Sequence, residues 1–90
     1  MQYDTYINKF TQMLSLRDLT ESTVTNYTFY LKNYFNWLDA ELHKLPEDVS
    51  WEELRSYLIY LKKIKGLNSR SVNPVIAQLR FFYLYVLHKD

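Results

Sequence analysis

The groups with which this chain could do chemistry are few: two histidines, a run of acids between residues 47 and 53, and nine tyrosines. His43 stands in a polar stretch and His88 near the end of an apolar periodic segment. Neither has a third donor at metal-ligand spacing, so both read as solvated and no metal site is expected. Glu47, Asp48, Glu52 and Glu53 could in principle form a general acid and base pair, but they gather where a helix N-terminus attracts carboxylates. Cysteine is absent, which excludes disulfides, thiolate metal sites and thiol nucleophiles. There is no glycine-rich phosphate loop, no nucleophile elbow, and no Ser, His and Asp set at workable spacing. Tyr27, Tyr34, Tyr57 and Tyr83 fall on apolar stripes, and an activated tyrosine needs arginines and a base around it, so they read as packing residues. Asn26-Tyr27-Thr28 matches a glycosylation sequon only by chance, in mid-helix. The expectation is a chain with no catalytic site and no cofactor.

Four helices must position whatever function remains, because one Gly and two Pro leave little other punctuation. The first runs from about Tyr3 to Leu16 and ends at an Arg17-Asp18 turn. The second starts after Thr20, a good N-cap, and carries Val24, Tyr27, Leu31, Tyr34, Phe35, Leu38 and Leu42 on one stripe. A polar connection containing Pro46 leads to Ser50-Trp51-Glu52-Glu53, which has the spacing of a capping box. Leu54, Tyr57, Leu58, Leu61 and Ile64 then form a buried face that stops at Gly66. The fourth helix carries Val72, Val75, Ile76, Leu79, Phe82, Tyr83 and Val86; Asn73 and Pro74 could open a short version of it as N-cap and N1, but the start preferred is Asn68, with a bend where Pro74 enters the second turn. The fold class is therefore all-α, with residues 1–90 forming a single domain.

A chain of 90 residues has room for one core, and 2 Trp, 9 Tyr and 5 Phe supply bulk enough to build it without a staple. No stretch reaches the roughly 18 apolar residues of a membrane span, and the N-terminus lacks the basic flank and apolar run of a secretion signal. A cytoplasmic protein with no membrane partner is expected. The net charge of +1 does not announce a nucleic-acid partner, yet it is unevenly distributed. Residues 1–53 hold four bases against nine acids, a net of −5, and residues 54–90 hold seven bases against Asp90, a net of +6.

The outer face of the second helix presents Thr25, Asn26, Phe29, Lys32, Asn33 and Asn36, and that of the fourth presents Arg70, Asn73, Ala77, Arg80, Phe81 and Leu84. Neither set contains a carboxylate. Amides, hydroxyls and arginines are the groups that meet phosphates and base edges, so double-stranded DNA is one candidate partner. The other is a protein: exposed Phe29, Trp37, Phe81, Leu84 and Tyr85 would suit a helical protein interaction module.

Residue order adds a resemblance. Leu19-Thr20-Glu21-Ser22-Thr23-Val24 with Tyr27 and Leu31, then Val49-Ser50-Trp51-Glu52-Glu53-Leu54 with Tyr57-Leu58, then Gly66-Leu67-Asn68-Ser69-Arg70-Ser71-Val72-Asn73 with Leu79-Arg80 and Phe82-Tyr83, occur in that order along nearly the whole chain. Together they resemble the N-terminal core-binding domains of tyrosine recombinases, the phage integrase family. The resemblance implies a SAM-like, orthogonal four-helix bundle that packs on one face of a recombination-site duplex. It also implies a separate C-terminal catalytic domain of the same parent, absent from this chain, that closes the other face and exchanges strands, with other recombinase protomers as further partners on the DNA. The family's catalytic arginine, histidine, lysine and tyrosine belong to that other domain. In the family the second and fourth helices face DNA, so the DNA-binding residues expected are Thr23, Asn26, Lys32, Asn33, Arg70, Ser71, Asn73 and Arg80. Thr23 and Ser71 would contact phosphate through their hydroxyls, and Arg70 and Arg80 through their charge. Thr28, Phe29, Pro74 and Val75 stand where the family often has bases, which implies weak, salt-sensitive binding by this piece alone.

Overall fold

The computed structural model describes residues 3–88. Among them are four α-helices and no strand: α1 (Asp4–Ser15), α2 (Glu21–Glu41), α3 (Trp51–Lys63) and α4 (Ser69–Phe81). A 3-10 turn at Pro46–Asp48 precedes α3, and α4 continues into a π-helical turn at Phe82–Val86. The expected all-α, four-helix class and the order of its elements hold.

Each boundary has a local cause. The Thr20 hydroxyl accepts from the Thr23 N–H at 3.2 Å and opens α2. The capping box forms as the spacing predicts: Ser50 Oγ accepts from the Glu53 N–H at 3.1 Å, and Glu53 Oε1 accepts from the Ser50 N–H at 3.0 Å. After α3, Gly66 takes a left-handed φ of 69°, and the Leu67 N–H turns back onto the Leu61 carbonyl at 3.0 Å. Asn68 Oδ1 then caps α4 through the Ser71 N–H at 3.0 Å. Pro74 sits inside α4, where its missing N–H removes one helical hydrogen bond from the second turn.

The core is aromatic at its centre. Phe82 is fully buried and meets Phe10 at 6.1 Å, Phe35 at 5.5 Å and Tyr6 at 6.3 Å, all edge to face. Tyr3 stacks on Phe35 at 4.8 Å. A second cluster joins α2 to α3, with Tyr34 and Trp37 each 5.0 Å from the Tyr57 ring. Such pairs contribute about 0.5–1.5 kcal/mol each beyond their buried area. At the far end, the Arg17 guanidinium lies over the rings of Phe81 at 4.9 Å and Tyr85 at 4.8 Å, tying the end of α1 to the π-turn.

The tyrosines do more than pack. Tyr3 donates to the Lys44 carbonyl at 2.9 Å, Tyr6 to the Glu47 carboxylate at 2.8 Å, and Tyr83 to the Pro46 carbonyl at 2.9 Å. Because the Tyr83 proton is committed to Pro46, the 2.7 Å contact between the Tyr34 and Tyr83 oxygens is one in which Tyr34 donates. Burial pushes the Tyr83 and Tyr6 hydroxyls up to about 12, the carboxylate of Glu47 adding to the effect at Tyr6, and raises Tyr34 and Tyr57 further. Lys44 completes the clasp by pairing with Glu53 at 2.8 Å. Three hydroxyls and one ion pair thus hold the 44–47 connection against the bundle, with Tyr34 backing Tyr83.

Two expectations about exposure are corrected. Trp37 is half-buried in the α2/α3 aromatic cluster, and Phe81 is half-buried with its ring 5.7 Å from Phe10, so neither belongs to an exposed aromatic set. Gln78, by contrast, is completely buried, and both polar atoms of its amide lack a hydrogen-bond partner among the described residues.

Candidate nucleic-acid interface

An open groove of about 890 Å³ runs between α2, α3 and α4. From α2 it is lined by Phe29, Tyr30, Asn33, Asn36 and Trp37, and from α4 by Arg70, Ser71, Pro74 and Val75. Tyr57 and Tyr60 of α3 form its back, and Lys65 enters from the turn that Gly66 makes possible. The groove therefore presents short amides on one wall and two cations on the other, over aromatic rings.

The expected site residues divide by position. Asn33, Arg70 and Ser71 line this groove together, and Asn26 lies two turns before Asn33 on the same stripe of α2. Lys32 and Asn73 are exposed and are not among its lining residues. Thr23 is half-buried at the start of α2, its hydroxyl 2.9 Å from that of Thr20 within the cap. Arg80 lines a different groove, between α3 and α4.

Some contributors were not legible in the sequence. Lys65 reads as a base placed near a helix C-terminus, whereas in the fold it lines the same groove as Arg70. Glu41, in the last turn of α2, also lines the groove, so the face is not wholly free of carboxylate as the α2 stripe suggests.

The decisive electrostatic feature is at the start of α4. The first turns of α1, α2 and α3 carry Asp4, Glu21, and Glu52 with Glu53, as the helix dipole favours. The first turn of α4 carries no acid and holds Arg70 instead, adding a cation to a pole that is already positive. That placement opposes folding by about 0.3–1 kcal/mol and suits an anion. The surrounding donors, Ser71, Asn33 and Lys65, are groups that bind phosphate oxygens.

Residues 6–90 match the family model described as the phage integrase N-terminal SAM-like domain. The chain belongs to this family. The four-helix arrangement above is accordingly the SAM-like fold of phage integrase N-terminal domains. Among curated relatives, a Bacillus thuringiensis protein named TnP I resolvase is 28% identical over 81 residues, covering 90% of this chain and 28% of that protein. A Leptospira interrogans protein named tyrosine recombinase XerC is 28% identical over 83 residues, covering 91% of this chain and 26% of its own length. A putative integrase/recombinase of Sinorhizobium fredii is 38% identical over 47 residues, 52% of this chain and 15% of that protein. The chain thus spans about a quarter of the first and second of these relatives and less of the third. No solved structure matches it. Within the described residues no helix is long and apolar enough to cross a membrane. This phage integrase N-terminal domain is thus a recombinase-related module.

Proposed function

We propose that this domain grips one face of a DNA duplex through α2 and α4 and positions it for strand exchange by a catalytic domain located elsewhere in a tyrosine recombinase. The observation that carries this reading is Arg70 at the positive pole of α4, where the fold alone would favour an acid. The family membership and the names of the relatives support it. Arg70, Ser71 and Lys65 meet phosphates on one strand, and the α2 stripe of Asn26 and Asn33 lies along the groove edge, with Lys32, Asn73 and Thr23 as flanking contacts. Arg80 is left out of this grip, because it opens onto the other side of α4.

With so few cations the isolated domain neutralises about two or three phosphates, so log K falls with log salt at a slope of roughly −2 to −3. Fluorescence anisotropy on a labelled duplex of a relative's recombination site measures this. Arg70→Glu weakens binding by at least about tenfold and Arg70→Gln flattens the slope by about one. Binding that ignores both salt and Arg70 overturns the proposal.

A further inference from the structure

The other flank of the α3/α4 pair carries a second groove, of about 650 Å³, that shares no lining residue with the first. Its floor is Leu54 and Leu58 from α3 and Ile76 and Leu79 from α4. Trp51, in the first turn of α3, lines it while 70% exposed, and Leu84 lines it while 40% exposed. A tryptophan so exposed contributes little to the core, and Trp and Arg are the residue types that dominate protein interfaces.

The charges on this groove are all of one sign. Arg55 and Arg80 are its only charged lining residues, both are exposed, and neither has an ion-pair or hydrogen-bond partner among the described residues. Their aliphatic stems can lie along the leucines while the guanidinium heads stay free for carboxylates. Duplex DNA offers no apolar ridge to match such a floor, whereas an amphipathic helix does, with anchors at i, i+3 or i+4 and i+7.

We infer that the α3/α4 groove docks an amphipathic helix of a partner protein, its apolar stripe on Leu54, Leu58, Ile76 and Leu79 and its flanking carboxylates on Arg55 and Arg80. The partner is acidic on both edges of its apolar face and about three turns long, the length that a 13-residue α3 can accompany. The docking surface is separate from the DNA grip and stands whether or not that reading holds.

The test uses the 90-residue chain and two fluorescent helical peptides with the same leucine stripe, one flanked by glutamates and one by lysines. The Glu-flanked peptide binds the wild type and the Lys-flanked peptide binds at least tenfold more weakly. Arg55→Glu with Arg80→Glu reverses that preference, and Trp51→Ala weakens the Glu-flanked peptide about tenfold, while melting curves show that these surface variants stay folded. A duplex added as competitor leaves the peptide bound. The inference is overturned by equal binding of the two peptides, by no binding of either, by displacement with duplex DNA, or by sedimentation showing that a second copy of the chain fills the groove.

Discussion

Tyr83→Phe removes one hydroxyl that serves two partners, and its effect can be worked from three atoms. Tyr83 donates to the Pro46 carbonyl at 2.9 Å and accepts from Tyr34 at 2.7 Å, with Tyr34 and Pro46 both buried. Truncation orphans a carbonyl and a hydroxyl at once, each costing about 1–3 kcal/mol, so a loss of roughly 3 kcal/mol is expected. Tyr34→Phe removes only a donor, leaving Tyr83 still bonded to Pro46, and costs about 1 kcal/mol. In the double variant the Tyr34 hydroxyl no longer exists to be stranded and only the Pro46 carbonyl is orphaned, so its cost falls to about 2 kcal/mol, below that of Tyr83→Phe alone, and the coupling is about 2 kcal/mol. Urea unfolding of the four proteins, followed by circular dichroism, gives the cycle. A domain of this size shifts by about 4–8 °C per kcal/mol, so Tyr83→Phe also lowers Tm by more than 10 °C. Strict additivity, or a larger cost at Tyr34 than at Tyr83, would refute the assigned direction of the chain of bonds.

Four further outcomes follow from other contacts of the fold. Gln78→Met replaces a buried amide without partners by an apolar side chain of similar shape and raises stability by about 1 kcal/mol in thermal unfolding; a loss of that size would show that the amide is satisfied in solution. Tyr6 and Tyr83 titrate higher in the folded chain than the ordinary 10, so their stabilisation is complete below pH 10 and is lost as pH rises through about 12, and Tyr6→Phe makes that alkaline limb shallower in a circular dichroism titration. Ser50→Ala costs about 1 kcal/mol through the lost cap. Glu53 is held below the usual carboxylate range first by Lys44 and then by the Ser50 N–H, so its contribution is present at neutral pH and fades as pH falls through its folded value, a fading that Glu53→Gln abolishes.

Helix positions were legible because their signals are local. Thr20, Ser50 with Glu53, Asn68 and Gly66 each act within a few residues, and the apolar stripes carry the 3.6-residue period of their own helix. What was hidden depends on contacts between helices. Arg70 and Arg80 look like neighbours on a helical wheel, yet α3 lies against α4 so that the two open onto different grooves. Gln78 reads as a polar surface residue and is sealed under the bundle. The tyrosine hydroxyls reach partners up to 41 residues away in sequence, so spacing could show that they pack but not that they clasp the 44–47 connection. Lys65, past the end of α3, shows itself as a groove residue only once the helices are packed.

The claim that α2 and α4 form the DNA-gripping face is tested most directly by amide chemical shifts of the labelled chain during titration with duplex DNA at low salt. The account predicts shifts concentrated in residues 26–36 and 65–73, fading as salt is raised. Shifts confined to residues 43–53, or to the groove around Trp51, Arg55 and Arg80, would contradict it.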